Sequence, residues 1–555
     1  MPDSVSPPPA RAWIASRALA VAVFALTQVF LGVDDTPTTD EARHLRDGAT
    51  LWREGRIDVN PEHPPLVKLL AAGMLPPPSR DTALAPAQDD PMAADAEFAS
   101  RLGLKGVRLL RVRLPVIALA VLGLAAFGSL FTAVSVEAPL AATVLLAAAP
   151  AWLAHAHYVT TDAAPVALFL LSAWTIRRFP TTSGAAVSGA FIGAALAAKF
   201  AAPLIAPFAL AWVFLHARMR GLAAATLATF LVLFGVEAYA SRGMSDEDLR
   251  ALSRRSFREG GLGGPAPASP RLESFCDSLA SFSRPLAAYS IGFFSVTHRS
   301  ATAEGADYWA GRIITGPQPL YPLETLAFKD DLPLILAGAL GAAAIFSLRK
   351  RPGGGMLVAL LGGLVYLAGA CRSSLHLGIR HLLPLVVLLA GLGTASLLRR
   401  GWRLLVFALL SAHVLAAVIA FPHYVSYRNF LARLVLSPDS AWDLGDDWGQ
   451  DLGRFLRSEP RPVVYLSVLH YRVPEWRRLF PSLREEEEPA LPCLVDRVSR
   501  DLLAASRRQD LSPIAARELA GIRPILERID RLSRERALSK TSQPTLLLFE
   551  KRPGP

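Results

Sequence analysis

The feature that most limits the fold of this chain is a series of apolar blocks, near residues 12–33, 110–132, 138–156, 163–176, 184–198, 201–216, 221–240, 333–348, 355–371, 379–398 and 402–421. A helix needs roughly 20 such residues to cross the hydrocarbon core of a bilayer. Most blocks come close to that length. The blocks 184–198 and 201–216 are short, and read either as two spans or as one long tilted helix. The series predicts a mostly α fold, a polytopic transmembrane helical bundle. Composition agrees: of 555 residues, 52% are hydrophobic and 19% charged, and the mean hydropathy is +0.33. That is too little charge to cover a soluble protein of this length. The first block follows Arg11 and Arg17 as a signal peptide would. It ends in Leu31-Gly32-Val33-Asp34-Asp35, without the small residues of a cleavage site, and is read as an uncleaved span.

The formal net charge is +11. Many of the cations fall in short loops between apolar blocks, so the membrane explains them better than nucleic acid does, and no nucleic-acid partner is expected. Cytoplasmic loops carry an excess of Lys and Arg. With the N-terminus inside, loops 177–183, 217–220, 349–354 and 399–401 are cytoplasmic and carry Arg177-Arg178, Arg218 with Arg220, Arg349-Lys350-Arg351 and Arg399-Arg400. Loop 133–137 carries none. The pattern requires an even number of spans between Arg178 and Arg218, which favours two short ones. Loops 34–109 and 241–332 and the tail then lie on the other side. The expected division is a transmembrane domain at 1–421 and a small α/β extramembrane domain at 422–555. The tail has strand-like stretches at 463–466 and 545–549 and helix-like ones at 497–508 and 513–536. The Gly/Pro/Ser-rich stretch 260–270 reads as flexible. Cys276, Cys371 and Cys493 show no metal-ligand spacing; a Cys276–Cys493 bridge is open to the topology, but unpaired thiols are the plainer reading.

The chemistry-bearing residues gather on the outer side. Asp34, Asp35, Asp40 and Glu41 lie within eight positions, and adjacent carboxylates repel unless water, a cation or a proton separates them. A hydrated helix start, capped by Thr39 or Asp40, explains them equally well if taken alone. Glu62 and His63 precede the stiff Pro64-Pro65 pair and an amphipathic stretch suited to the membrane surface. Asp162 ends the turn His155-Ala156-His157-Tyr158-Val159-Thr160-Thr161 at a membrane boundary, where an ionisable group is costly and often functional; it also suits a helix cap. Lys199, Lys329 and Arg380, with His381 beside it, stand at outer span ends. Snorkelling to the interface accounts for at least one of the three cations. Acids and cations on one face suit an anionic, membrane-anchored substrate. Cations hold a phosphate, and a carboxylate orients or deprotonates an acceptor hydroxyl.

In order along the chain, Asp40-Glu41-Ala42-Arg43-His44, Glu62-His63-Pro64-Pro65-Leu66, Tyr158-Val159-Thr160-Thr161-Asp162, Ala198-Lys199-Phe200 and Gly378-Ile379-Arg380-His381-Leu382-Leu383-Pro384 resemble the motifs of GT-C membrane glycosyltransferases. The likeness is to family 39, the protein O-mannosyltransferase and aminoarabinose-transferase type. Asp446-Asp447-Trp448-Gly449-Gln450 resembles an element of its bacterial members. The pattern departs from the family at His63, where some members have Lys, and at His381, where an aromatic is common. The resemblance implies a GT-C-like fold in a bacterial inner membrane, with the site on the periplasmic or extracellular face. It implies an inverting transferase that moves a sugar from a polyprenyl-phosphate donor to a glycan, lipid or protein acceptor. Asp40, Glu41 and Asp162 would be catalytic, and His63, Lys199, Lys329, Arg380 and His381 would bind substrate. Apart from the resemblance, the two carboxylates Asp40 and Asp162 could share a divalent cation, Mg or Mn, a choice that oxygen ligands alone leave open.

Two other classes compete. A transporter or lipid flippase also places charge in the membrane, but with broken helices at the midplane and repeat symmetry, where this chain puts its charge at one boundary. A scaffold or sensor accounts for the tail and leaves the converging charges without a task.

Overall fold

The computed structural model describes residues 10–76, 91–258, 268–302, 306–346, 353–436, 441–459, 461–467, 479–484, 491–508, 511, 513–539 and 543–551. The basic triplet Arg349-Lys350-Arg351 and most of the Gly/Pro-rich stretch, 260–267, lie outside them. Among the described residues, six helices are long and apolar enough to cross a membrane: Arg11–Asp34, Val107–Ser129, Ala206–Ala240, Gly354–Arg372, Ile379–Arg399 and Arg403–Ala420. The chain is thus a multi-pass membrane protein with a mostly helical fold.

In chain order the helices are α1 (Ala10–Asp34), α2 (Thr39–Glu54), α3 (Leu66–Ala72), α4 (Pro91–Arg101), α5 (Val107–Ser129), α6 (Ala138–Ala147), α7 (Pro150–His155), α8 (Ala163–Arg178), α9 (Thr182–Leu196) and α10 (Ala206–Ala240). Then follow α11 (Asp246–Phe257), α12 (Pro270–Phe282), α13 (Arg284–Thr302), α14 (Tyr321–Lys329), α15 (Leu332–Phe346), α16 (Gly354–Arg372), α17 (Leu383–Arg399), α18 (Arg403–Ala420), α19 (Phe430–Val435) and α20 (Leu452–Ser458).

Three blocks differ from their sequence outline. The block at 138–156 divides into α6 and α7, because Pro150 stands in the first turn of the second piece, where a missing N–H costs nothing. The blocks at 201–216 and 221–240 join as α10, but Arg218, at φ 57° and ψ −161°, breaks the helix between them. Two helical pieces, α9 and the first part of α10, therefore stand between Arg178 and Arg218. Gly189 and Gly193 let α9 lie against the backbone of α10 at Ala225 and Thr229, where a Cβ would clash. Thr229 Oγ1 donates to the Gly189 carbonyl at 2.9 Å across the contact.

The tail forms a five-stranded sheet. Its strands are β3 (Val463–Leu466), β4 (Leu483–Arg484), β5 (Cys493–Asp496), β6 (Arg536–Ser539) and β7 (Leu546–Lys551), in the order β4-β3-β5-β7-β6; a separate hairpin, β1 (Ala306–Trp309) with β2 (Arg312–Thr315), precedes them. Pairing is parallel across β4, β3 and β5 and antiparallel from β5 onward. Helices Arg497–Arg508 and Pro513–Glu535 pack on it. None of the three cysteines forms a disulfide.

The sheet is not an isolated body. One apolar cluster joins Ala42 and Leu45 of α2 to Leu452 and Phe455 of α20 and to Val463, Tyr465 and Leu548 of the sheet. The stretch before α20 leaves the tail and seals the ends of the membrane helices. The Thr36 amide donates to the Gln450 carbonyl at 3.1 Å, and the Gly453 amide donates to Thr36 Oγ1 at 2.6 Å. Arg454 pairs with Asp34, Asp35 and Asp451 together. Burial alone would raise the Asp35 carboxyl, but Arg454 and His157 hold it down at about 2.

Candidate active site

The site begins at the first turn of α2. Thr38 caps this helix: its hydroxyl accepts from the Glu41 amide at 3.2 Å, and the Glu41 carboxylate accepts from the Thr38 amide at 3.0 Å. That reciprocal cap fixes the turn and leaves Asp40 with a side chain 43% exposed. Asp40 Oδ2 accepts from Arg380 Nη1 at 2.6 Å. Arg380 sits in a short 3₁₀ turn, Ile379–Leu382, which the chain enters through Gly378 at φ 74°, a left-handed conformation that glycine adopts without a Cβ penalty. Its Nε donates to the Leu377 carbonyl at 3.1 Å, and its guanidinium lies over the Trp448 ring at 4.2 Å. This leaves the charge fixed in place.

Behind Asp40 stands Asp162, only 3% exposed. It occupies the cap position of α8 but makes no side-chain cap bond. Its carboxylate turns to the cations instead. Oδ1 accepts from Lys199 Nζ at 2.6 Å, and Oδ2 is 4.0 Å from Arg380 Nη1. His381 Nε2 is 3.8 Å from Oδ1. Asp40, Arg380, Asp162 and Lys199 thus form one alternating chain of charges, drawn from four separate stretches of sequence.

The charges set each other's protonation. Burial would raise Asp40, but Arg380 and His44 outweigh it and hold the carboxyl below its usual range. Burial likewise opposes ionisation of Asp162, and Lys199 and Arg380 overcome it. Burial pushes the His44 imidazole down to about 4, against the pull of Asp40. Because the folded pKa of Asp40 is depressed, its charge is lost only as pH falls through a value below the ordinary 3.8. The group is ionised, and His44 neutral, across the neutral range. The kcat/KM profile should therefore show no acid limb between pH 5 and 7 from either group; a limb near pH 6 that Asp40→Asn removes would contradict this electrostatic picture.

The other residues singled out in the sequence stand elsewhere. Glu41 is wholly buried: Arg113 donates to it through Nε at 2.8 Å and Nη2 at 2.6 Å, and the Val159 amide donates at 2.9 Å. Its acceptor capacity is spent on holding α2, α5 and the turn before α8, so its task is structural. Lys329 is buried and bonded to Asp446 and to the Val425 carbonyl, the latter at 2.9 Å. It anchors the 442–446 segment. His63 packs edge-on against His44 at 4.8 Å and lies 3.3 Å from Thr161 Oγ1, so it borders the acidic helix turn beside the charge chain. Three residues of the site were not chosen from sequence. His44, four places after Asp40, shares its helix face, a spacing that would have revealed it. Trp448 lies in the Asp446–Gln450 element and His155 in the turn before Asp162, but nothing local gave either a role; their rings are 5.3 Å apart.

A bridging divalent ion does not fit this donor set. Asp40 and Asp162 each carry a protein cation, Arg380 and Lys199, where the ion would bind. Among the described residues no group of three or more His, Cys, Asp or Glu side chains has the arrangement of a metal site.

Beneath the charges lies an apolar cavity of about 470 Å³ between α8, α10, α16 and α17. Tyr366 and Pro384 line its near end, and the Tyr366 hydroxyl donates to the His381 carbonyl at 2.8 Å. The charged site and the apolar cavity therefore share a wall.

No protein-family model and no curated protein matches the chain. Among solved structures it aligns with the crystal structure of ArnT from Cupriavidus metallidurans bound to undecaprenyl phosphate, at 12% identity and a TM-score of 0.44, over 96% of this chain and 97% of that one. It also aligns with ArnT from the same organism in the apo state, at 12% identity and a TM-score of 0.28, over 97% and 98% of the two chains.

Proposed function

We propose that this chain is a membrane glycosyltransferase that moves a sugar from a polyprenyl-phosphate donor to an acceptor hydroxyl at the outer face of a bacterial inner membrane. The observation that carries the reading is the alternating chain Asp40–Arg380–Asp162–Lys199 beside an apolar cavity, the two joined where the Tyr366 hydroxyl donates to the His381 carbonyl. A lipid phosphate has one charged end and one long apolar end, and this site offers a partner to each. The order of the family-39-like motifs supports the same assignment.

The donor phosphate takes the exposed side of Arg380, whose planar fork suits phosphate oxygens. The prenyl chain enters the cavity at its Tyr366 end. Phosphate binding draws off the positive charge that holds Asp40 down, so Asp40 becomes a stronger base once the donor is seated. Asp40 then accepts the acceptor's proton as its oxygen attacks the anomeric carbon. The bond to phosphate breaks, and its electrons go to a polyprenyl phosphate whose new charge Arg380 stabilises. Direct displacement inverts the anomeric centre. Asp162 and Lys199 keep Arg380 and His381 in place.

The test uses purified full-length protein in liposomes with a radiolabelled polyprenyl-phosphate sugar and a crude acceptor extract. Release of free polyprenyl phosphate, lost with Arg380→Gln, is the expected result. A chain that moves the intact donor between leaflets without breaking its sugar bond is a transporter, and that outcome would replace the transferase reading.

A further inference from the structure

The apolar cavity has a second end, which the transfer reaction does not use. Arg177 closes α8 and Arg399 closes α17, and both line the rim farthest from Asp162, together with His216, Gly353 and Gly355. Along helix α8, 16 residues long, Asp162 and Arg177 are separated by about 22 Å, most of the roughly 30 Å depth of a hydrocarbon core. The rest of the lining is apolar, with Phe127, Phe169, Phe208 and Trp212 among its larger side chains.

The arginines of this rim lack partners that their neighbours have. Arg403 pairs with Glu137 at 2.8 Å, and Arg178 lies over the Phe179 ring at 5.1 Å. Burial acts against the charge of Arg177, and Arg399, on the same rim, adds a like charge to it. Among the described residues neither guanidinium has a carboxylate partner. Two like charges converging beside an apolar cavity repel in a low dielectric, and an anion between them removes that cost. Basic pockets between membrane helices at the cytoplasmic side suit anionic lipid headgroups.

We propose that Arg177 and Arg399 bind the phosphate of an anionic phospholipid of the cytoplasmic leaflet, whose acyl chains enter the cavity from below. The assignment rests on the positive-inside orientation and on the cavity, and it stands whether or not the upper site transfers sugar. Terminal arginines that only snorkel would bind zwitterionic and anionic lipids alike; a convergent pair facing a cavity would not.

Native mass spectrometry of the delipidated full-length protein, titrated with phosphatidylglycerol or with phosphatidylcholine of the same chains, tests this. Wild type is expected to retain one phosphatidylglycerol with a preference of about tenfold. Arg177→Gln with Arg399→Gln should abolish the preference, Lys at both positions should restore most of it, and Arg178→Gln should leave it intact. Asp40→Asn should also leave it intact, which separates this site from the transfer reaction. Equal retention of the two lipids by wild type, or an unchanged preference in the double Gln variant with a native melting temperature, overturns the proposal. Displacement of the bound phosphatidylglycerol by polyprenyl phosphate at equal concentration would overturn the phospholipid assignment.

Discussion

Asp40→Asn is expected to lower sugar transfer by roughly 10²–10⁴-fold, the usual contribution of a positioned general base, with the melting temperature unchanged. Asparagine keeps an oxygen that accepts from Arg380 Nη1, now 2.6 Å from Asp40 Oδ2, and loses only the charge and the ability to take a proton. The side chain is 43% exposed, and the cap of α2 rests on Thr38 and Glu41, so the fold has little at stake. Donor binding should persist, because Arg380 is freed from part of its pairing and still faces the phosphate. The loss should therefore appear in kcat far more than in KM. Single-turnover assays on liposomes carrying labelled donor give both quantities. Near-wild-type turnover in Asp40→Asn would remove this carboxylate from the chemistry, and with it the mechanism written above.

The second large effect is on stability. Arg113→Met should destabilise the folded protein by about 3–5 kcal/mol, as removal of one partner from a buried ion pair does. Arg113 and Glu41 are both wholly buried. Beyond Glu41, Arg113 donates to the carbonyls of Gly32, Asp35 and Thr36 at 3.0, 3.2 and 3.2 Å, so it ties the end of α1 to the start of α2. Its loss leaves a carboxylate in an apolar core and three carbonyls without a donor. Adding Glu41→Leu should recover part of the loss by removing the stranded charge. Recovery stays partial because the Thr38 and Val159 amides then lack an acceptor. Thermal unfolding in detergent of both single variants and the pair measures this. Single variants that melt with wild type would show that Glu41 is not the structural strut described here, and would return it to the catalytic set.

Much of the membrane part was legible from local pattern. Apolar run length anticipated α1, α5, α16, α17 and α18, because the hydrocarbon core imposes one length on every span. The two short apolar runs between Arg178 and Arg218 correspond to α9 and the first part of α10. The tail's strands at 463–466 and 546–551 and its two long helices were also visible as alternation and helical period. The break of α6 from α7 was missed although Pro150 marks it, since the apolar character runs straight through the break.

The site was legible in its membership more than in its arrangement. Asp40, Asp162, Lys199, Arg380 and His381 carry costly charge beside apolar runs, and that cost is written in the sequence around each one. Sequence alone did not distinguish Asp40 from Glu41, which are adjacent and chemically alike. The capping geometry of α2 points one to the opening and the other into Arg113. Lys329 looks like Lys199 from sequence, yet Asp446, more than a hundred residues later, claims it. What the chain determined by itself was where its helices lie and which residues must find a partner, because burial and solvation act on each segment where it stands. Which partner each charge took was decided only by the tertiary structure, since an ion pair depends on distance through space. Asp40 and Arg380 are 340 positions apart and meet only after the bundle has packed.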